Sequence, residues 1–226
     1  MSRALILGTA LLFLGASQAE EDYSILLDEA IKTIDWDFEE EWAFTETSLH
    51  EEQLFVGNYD PRLAEENRWS LVSVDGREPT DGQQRKFRHD KNNHDSDSDD
   101  GLSRITTAVK PDTLELAEET DEYWLFTFVP DMDQEELVDS VDAAIKIIKD
   151  GHYVEFLEIR NKEDIKPGFG TKITRFLTRL TFGPAIDGGP IVPQTVNVRV
   201  TGRALFFIGF DETEAIKYSD FEQVIK

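Results

Sequence analysis

The fold class follows from two segments near the end of the chain, KITRFLTRLTF (residues 172–182) and TVNVRVTGRALFFI (residues 195–208). Apolar and polar side chains alternate along both, which is typical of strands with one buried face. Both segments exceed the usual strand length of about 5 to 6 residues. They predict a long sheet whose faces differ. One face carries Phe176, Leu180, Phe182, Val196, Val198, Val200, Ala204 and Phe206, and the other carries Arg175, Arg179, Arg199 and Arg203.

Other strand-like segments precede this pair, and turn residues such as Asp60-Pro61 and Asp75-Gly76 follow several of them. Consecutive strands lack the helical crossovers that parallel pairing needs, so the sheet is expected to be antiparallel. The predicted fold is mainly β (α+β), a long, curved antiparallel sheet or unclosed barrel of about ten strands with an N-terminal helix as its lid. The predicted strands are residues 42–48, 53–59, 68–74, 113–117, 122–129, 143–149, 152–160, 172–182, 195–208 and 215–221.

Helical cover for the apolar face is scarce in the sequence. Residues 23–35 have apolar side chains at helical spacing, and residues 134–140 indicate a short helical turn. A sheet with incomplete cover leaves an apolar cavity beneath its helix, which is a usual place for a hydrophobic ligand. A filled core is the alternative, and the sequence leaves both open.

Residues 80–101, TDGQQRKFRHDKNNHDSDSDDG, are almost wholly polar apart from Phe87. Such a segment buries too little apolar surface to fold alone. The sequence predicts a long solvated acidic loop here, which a short helix could open.

The first nineteen residues resemble a cleavable secretory signal peptide. Arg3 provides a positive start, residues 4–14 are apolar, and Ser17 and Ala19 precede the expected cut near Ala19. The apolar run is too short to span a membrane, which takes about 20 residues. We expect residues 20–226 to form a single periplasmic or secreted domain with no transmembrane segment after cleavage. This domain has no cysteine, so a hydrophobic core must stabilise it.

The formal net charge of −24 restricts the partners of the protein. A field of this sign repels phosphate backbones and anionic headgroups, so no nucleic acid partner is expected and adsorption to an acidic membrane is disfavoured. The expected partners are a hydrophobic small molecule or lipid, or another envelope protein.

The order of the elements resembles the periplasmic outer-membrane lipoprotein carrier superfamily (LolA-like proteins). The resemblance rests on the front helix, on the segments Tyr59-Asp60-Pro61 and WSLVSVDG (residues 69–76), and on the closing strand Tyr218-Ser219-Asp220-Phe221. It implies an unclosed antiparallel barrel with a helical lid that binds acyl chains, other hydrophobic molecules or partner proteins. It implies no catalytic residue. The acidic segment 80–101 would be an insertion.

Two sets of residues are candidates for binding. Aromatic side chains of the sheet are either core residues or the lining of a cavity, and the arginines either hold an anionic group or partner through bidentate contacts or form cross-strand ion pairs with residues such as Glu155. The aromatic candidates are Trp42, Trp69, Trp124, Phe126, Phe156, Phe176 and Phe206, and the arginine candidates are Arg175, Arg179, Arg199 and Arg203.

Signals for catalysis, cofactors and metals are weak. Nucleophilic catalysis needs a nucleophile beside a base, but the sequence has no cysteine and no Gly-x-Ser-x-Gly, and its four histidines fall in loops, turns or at a strand start. The acidic run from Asp95 fails the EF-hand spacing, because Asp100 and Thr106 stand where Gly and Glu are required. We expect no cofactor, no specific metal site and no enzyme.

Three functions stay open from the sequence. The first is an exported, non-catalytic protein that binds a hydrophobic ligand, such as a lipid or lipoprotein acyl chain, or an envelope partner. The second is an interaction or structural module with a filled core, whose acidic loop recruits a basic partner. The third is an exported hydrolase with a pair of buried carboxylates.

Overall fold

A computed structural model describes residues 23–50, 52–94, 108–132, 135–168, 170–205 and 208–224. Within these residues, eleven strands form one antiparallel sheet. The strands are β1 (Trp42–His50), β2 (Gln53–Tyr59), β3 (Trp69–Val74), β4 (Glu115–Glu119), β5 (Tyr123–Phe128), β6 (Val141–Ile148), β7 (Tyr153–Asn161), β8 (Ile165–Gly168), β9 (Thr171–Pro184), β10 (Ile191–Ala204) and β11 (Ile208–Gln223).

The spatial order of the strands is β3-β2-β1-β11-β10-β9-β7-β6-β5-β4, with β8 paired to β9. The sheet does not close into a barrel, so β3 and β4 are its edges. The first strand pairs with the last, from Trp42 opposite Gln223 to Leu49 opposite Ala215. The predicted fold class, an open antiparallel sheet behind an N-terminal helix, is confirmed.

In the described part of the chain, three α-helices accompany the sheet, namely α1 (Tyr23–Lys32), α2 (Asp81–His94) and α3 (Glu135–Val138). Helix α1 contacts β7 and buries Leu27 and Ala30 against the sheet. Helix α2 contacts β3, near the opposite edge. The two longer helices therefore cover different parts of the sheet.

The inner face of the sheet carries two hydrophobic cores. The first core lies between α1 and strands β5 to β9 and includes Phe126, Ile145, Leu157 and Leu180, each almost fully buried. The second core lies over β1, β2, β3 and β11. It is mainly aromatic: Phe38, Trp42, Phe44, Tyr59, Trp69, Val192 and Tyr218.

The structure corrects the prediction of a loop over residues 80–101, because helix α2 runs from Asp81 to His94. A local cap and a contact with a distant strand explain the helix. Thr80 and Gln83 form a capping box, in which the Thr80 amide donates to Gln83 Oε1 at 2.9 Å. Phe87 lies over Gly57, where the missing side chain leaves room for its ring. The acidic run 95–101 lies outside the described residues.

The side chain of Gln84 also attaches α2 to the open edge of β3. Its amide nitrogen donates to the Leu71 carbonyl at 2.6 Å, and its amide oxygen accepts the Leu71 amide at 3.3 Å. Unpaired backbone groups of an edge strand otherwise invite pairing with another chain. Gln84 therefore occupies one residue of this edge.

The end of the chain also differs from the prediction. The expected strand 195–208 ends at Ala204, the chain reverses, and β11 begins at Ile208 and runs for 16 residues. The turn was missed because residues 205–207 are Leu-Phe-Phe and contain no Gly, Pro, Asn or Asp. Strand β8 was also missed, because it spans only four residues.

We predict that Gly57→Ala destabilises the fold, because the added Cβ would lie 2.5 Å from the Phe87 ring. Overpacking of this kind costs about 1–3 kcal/mol of unfolding free energy. Urea denaturation measures the loss. The double variant Gly57→Ala/Phe87→Ala should lose less than the sum of the single variants. Strict additivity would show that the two residues do not touch.

Candidate ligand-binding face

The candidate site is the inner face of the three longest strands, β9, β10 and β11, between the two cores. The register aligns Phe176 with Val200 and Leu180 with Val196, and it places Ile216 beside Val196. Because successive residues of a strand point to opposite faces, these side chains share the inner face. Together with Val198 and Phe55 of β2 they form an apolar strip.

Apart from Leu180, which is buried in the first core, the members of the apolar strip are only partly buried. Phe176 and Val196 pack against the first core, and Ile216 packs against the second. The strip is thus a mainly apolar surface between two packed regions, interrupted by Thr178 opposite Val198 and by Ser48 between Ile216 and Phe55. Such a surface can shield one extended hydrophobic chain from water.

One end of the strip is covered by the chain segment that follows α1. The Asp35 amide donates to the Ile191 carbonyl at 2.7 Å, and the ring of Trp36 meets that of Phe182 edge-on at 5.7 Å. Phe38 then enters the second core. At the other end, Phe176 and Val200 lie just beyond the point where the pairing of β7 with β9 ends, so the strip continues towards the β10–β11 hairpin.

The strip also has acidic neighbours. Val198 and Val200 lie opposite Glu214 and Glu212 of β11, whose side chains are exposed. Burial raises the pKa of Asp35, whose carboxylate accepts the Asp37 amide at 3.1 Å. The charged groups of this face are therefore carboxylates, at its rim.

The predicted aromatic residues do not form one group. Trp42 and Trp69 belong to the second core, whereas Phe126 and Phe176 lie beneath or beside α1 in the first. Trp124 stacks on His152 at the edge of the first core, with 5.9 Å between ring centroids. Phe156 lies on the outer face, and Phe206 lies outside the described residues.

The four arginines share the outer face, as the alternation along β9 and β10 predicts. Arg179 donates to Glu158 at 2.7 Å, and its guanidinium lies 4.1 Å from the centre of the Phe156 ring. Arg199 pairs with Asp211 at 3.4 Å. The Thr201 hydroxyl, which donates to the same carboxylate at 2.9 Å, and then Arg199 lower the pKa of Asp211. Arg175 and Arg203 are exposed. Glu155, the partner suggested by the sequence, binds Lys146 instead.

The sequence analysis missed a buried carboxylate under α2. Glu46 of β1 is 2 % exposed and accepts a bond from Lys91 of α2, at 2.5 Å. The Lys91 ammonium also lies 4.5 Å from the centre of the Trp69 ring. Burial raises the pKa of the neighbouring Tyr218, and the Glu46 charge adds to the effect. Glu46 alternates in β1 with apolar inward positions, which is the signal that would have found it.

A half-open cleft of about 500 Å³ lies elsewhere, mainly on the outer face at the ends of β5, β6 and β7 beside α3. Thr127, Asp142, Glu158 and Arg160 contribute to its lining. Its mixed charges distinguish it from the apolar strip.

No known protein family, curated protein or solved structure matches this chain. None of the helices in the described part of the chain is long and apolar enough to cross a membrane. The same residues contain no group of three or more His, Cys, Asp or Glu side chains placed to hold a metal ion.

We predict that Lys91→Met destabilises the protein by about 3 kcal/mol, because it leaves the Glu46 carboxylate buried without a partner. The control is Lys86→Met on the same helix, where the exposed pair with Asp90 contributes about 0.5 kcal/mol or less. Chemical denaturation compares the two. Adding Glu46→Gln to Lys91→Met should restore part of the loss. Equal effects of the two lysine variants would contradict a role for the Glu46–Lys91 pair.

Proposed function

We propose that this protein is an exported, non-catalytic carrier that binds one hydrophobic chain, such as the acyl chain of a lipid or lipoprotein, along the apolar strip. The observation that carries the proposal is the partial exposure of Phe176, Val196, Val198, Val200 and Ile216 on the inner face. A sheet that only had to be stable would gain by burying these side chains.

The shape of the strip favours a chain over a compact ligand. It runs along strands of 14 to 16 residues and is bordered by a core on each side. The strip itself extends along β10 from Val196 to Val200, which is about 13 Å at about 3.3 Å per residue, so it would contact part of an extended acyl chain. The carboxylates of Glu212 and Glu214 at the rim favour a neutral or cationic head group over an anionic one.

The resemblance to lipoprotein carriers supports the same ligand class, because members of that superfamily hold acyl chains under a helical lid. Recruitment of a basic partner by the acidic loop 80–101 is the second function expected from the sequence. Residues 81–94 of that loop form α2, which carries two Asp against four Lys or Arg, and its acidic residues 95–100 lie outside the described residues. The acyl-chain proposal is therefore the one that the described residues favour.

We predict that Val198→Asp weakens the binding of a fluorescent fatty acid at least about tenfold, because a carboxylate in the strip must be desolvated by the bound chain. The matched control is Asn197→Asp, which introduces the same group one residue away on the outer face. Titration of the probe emission measures affinity for both variants. Absence of binding to the unaltered protein, or equal loss in both variants, would refute the proposal.

Export provides a separate prediction. Expression of the full chain in a bacterium with a periplasm should yield a mature protein that begins at Glu20, because the small residues Ser17 and Ala19 define the cleavage site. Intact mass measurement of the periplasmic fraction checks the new N-terminus. Ala19→Arg should block processing, whereas Gln18→Arg should be tolerated. Retention of the unprocessed chain in the cytoplasm would contradict export.

A further inference from the structure

The β10–β11 hairpin projects beyond its neighbours at one end of the sheet. Strand β1 is paired to β11 only as far as Leu49 opposite Ala215, and β7 is paired to β9 only as far as Arg160 opposite Leu177. Strands β10 and β11 remain paired up to Ala204 opposite Ile208. Among the described strands, β9, which β8 flanks, is the one that pairs with this end of the hairpin.

The tip of this projection is apolar and exposed. Leu205 is 61 % exposed and Ile208 is 49 % exposed. Between Arg203 and Asp211 the sequence contains no charged or hydrogen-bonding side chain. A turn at the end of a solvated hairpin is ordinarily built from Gly, Asn, Asp or Ser.

The backbone at the tip gives no reason for a leucine. Leu205 has φ of 49°, in the left-handed region that Gly and Asn adopt at lower cost. The exposed Leu205 side chain therefore neither favours the turn conformation nor packs in a core. Contact with another molecule would explain an apolar residue at this position.

Positive charge accompanies the apolar tip. Arg203 lies directly opposite Lys172, and Arg175 lies opposite Thr201 on the same face. Lys172 pairs with Asp164, and Arg199 pairs with Asp211. Among the described residues, Arg175 and Arg203 belong to no ion pair. Arg203 thus carries an unpaired charge beside an apolar tip, and Arg175 adds a second cation that is close enough to Asp211 to help lower the pKa of that carboxyl, in a chain whose formal net charge is −24.

We propose that the hairpin tip docks the protein onto a lipid bilayer with anionic headgroups. Leu205 and Ile208 would enter the interface between headgroups and acyl chains, while Arg203 and Arg175 bind lipid phosphates. Two side chains on a projecting tip are far too small for a stable protein interface, which buries about 800 Å² per partner. A bilayer accepts such a tip by shallow insertion.

The acidic character of the whole chain does not prevent this contact. Charges more than a Debye length away, about 8 Å at physiological ionic strength, are largely screened. The acidic edge strand β4 lies four strands away from β9, at about 5 Å per strand. Among the described residues of β8 to β11 and the β8–β9 region, the acids near the tip include Asp164 and Asp211, which are paired, and Glu212 and Glu214, which lie on the inner face.

The docking surface stands independently of the acyl-chain proposal, but the two fit together. Phe176 and Val200 of the apolar strip lie on the same projection as the tip. Docking would therefore bring the end of the strip next to the bilayer from which a hydrophobic ligand would come.

Flotation with vesicles tests the proposal on the mature protein. We expect binding to phosphatidylcholine vesicles that contain phosphatidylglycerol, with weaker binding at high salt. Ile208→Thr should weaken this binding about tenfold, through loss of aliphatic insertion. The matched control is Ile186→Thr, since Ile186 is 48 % exposed but lies at the β9–β10 turn, at the opposite end of these strands. Arg203→Gln should weaken binding about fivefold on anionic vesicles only.

Leu205→Asn provides a second variant that suits the left-handed turn, so its loss of vesicle binding cannot be attributed to misfolding. Failure of the unaltered protein to float, or equal losses in the Ile208 and Ile186 variants, would overturn the proposal. So would a dimer in sedimentation that Leu205→Asn dissociates, since the tip would then bind a second copy. The tip variants should retain fatty-acid binding in solution, which separates this proposal from the acyl-chain proposal.

Discussion

The pairing of β1 with β11 is the interaction on which the rest of the structure depends. It joins segments roughly 170 residues apart along the chain, which makes it among the costliest contacts in loop-closure entropy. Without it, β1 to β3 would separate from the other eight strands, and Tyr218 would no longer pack with Trp42 and Phe44 in the second core. The aromatic rings of that core stabilise the closure: Phe44 alone lies within about 6 Å of Phe38, Tyr59, Trp69, Tyr218 and Phe221.

The two helices differ in how they attach to the sheet, and the difference bears on the candidate site. Helix α1 buries an apolar stripe in the first core, as an amphipathic helix does. Helix α2 is mostly polar and depends on Phe87, Gln84 and Lys91 for its contacts. Neither helix lies mainly over β10 and β11. The apolar strip thus stays partly exposed because α1 and α2 cover the two sides of a wide sheet and not its middle.

The two faces of the long strands perform different physical tasks. On the inner face, some apolar side chains of β9 and β10 pack in the two cores, whereas those of the strip stay partly exposed. On the outer face, Arg179 pairs with Glu158 and Arg199 pairs with Asp211, whereas Arg203 at the projecting end of the hairpin belongs to no ion pair among the described residues. This unpaired cation is one basis of the membrane-docking proposal.

The sequence by itself determined most strands, their alternation of faces and the antiparallel class, because strand periodicity and most turn residues are local properties. It also separated Phe176 and Val198 from Arg175 and Arg199. Tertiary structure decided the pairing of β1 with β11, the helix at Asp81–His94 and the burial of Glu46, because each depends on contacts between distant segments. Tertiary structure also decided the hairpin at Leu205, because its apolar turn has no local sequence signal and depends on the pairing of β11 with β10.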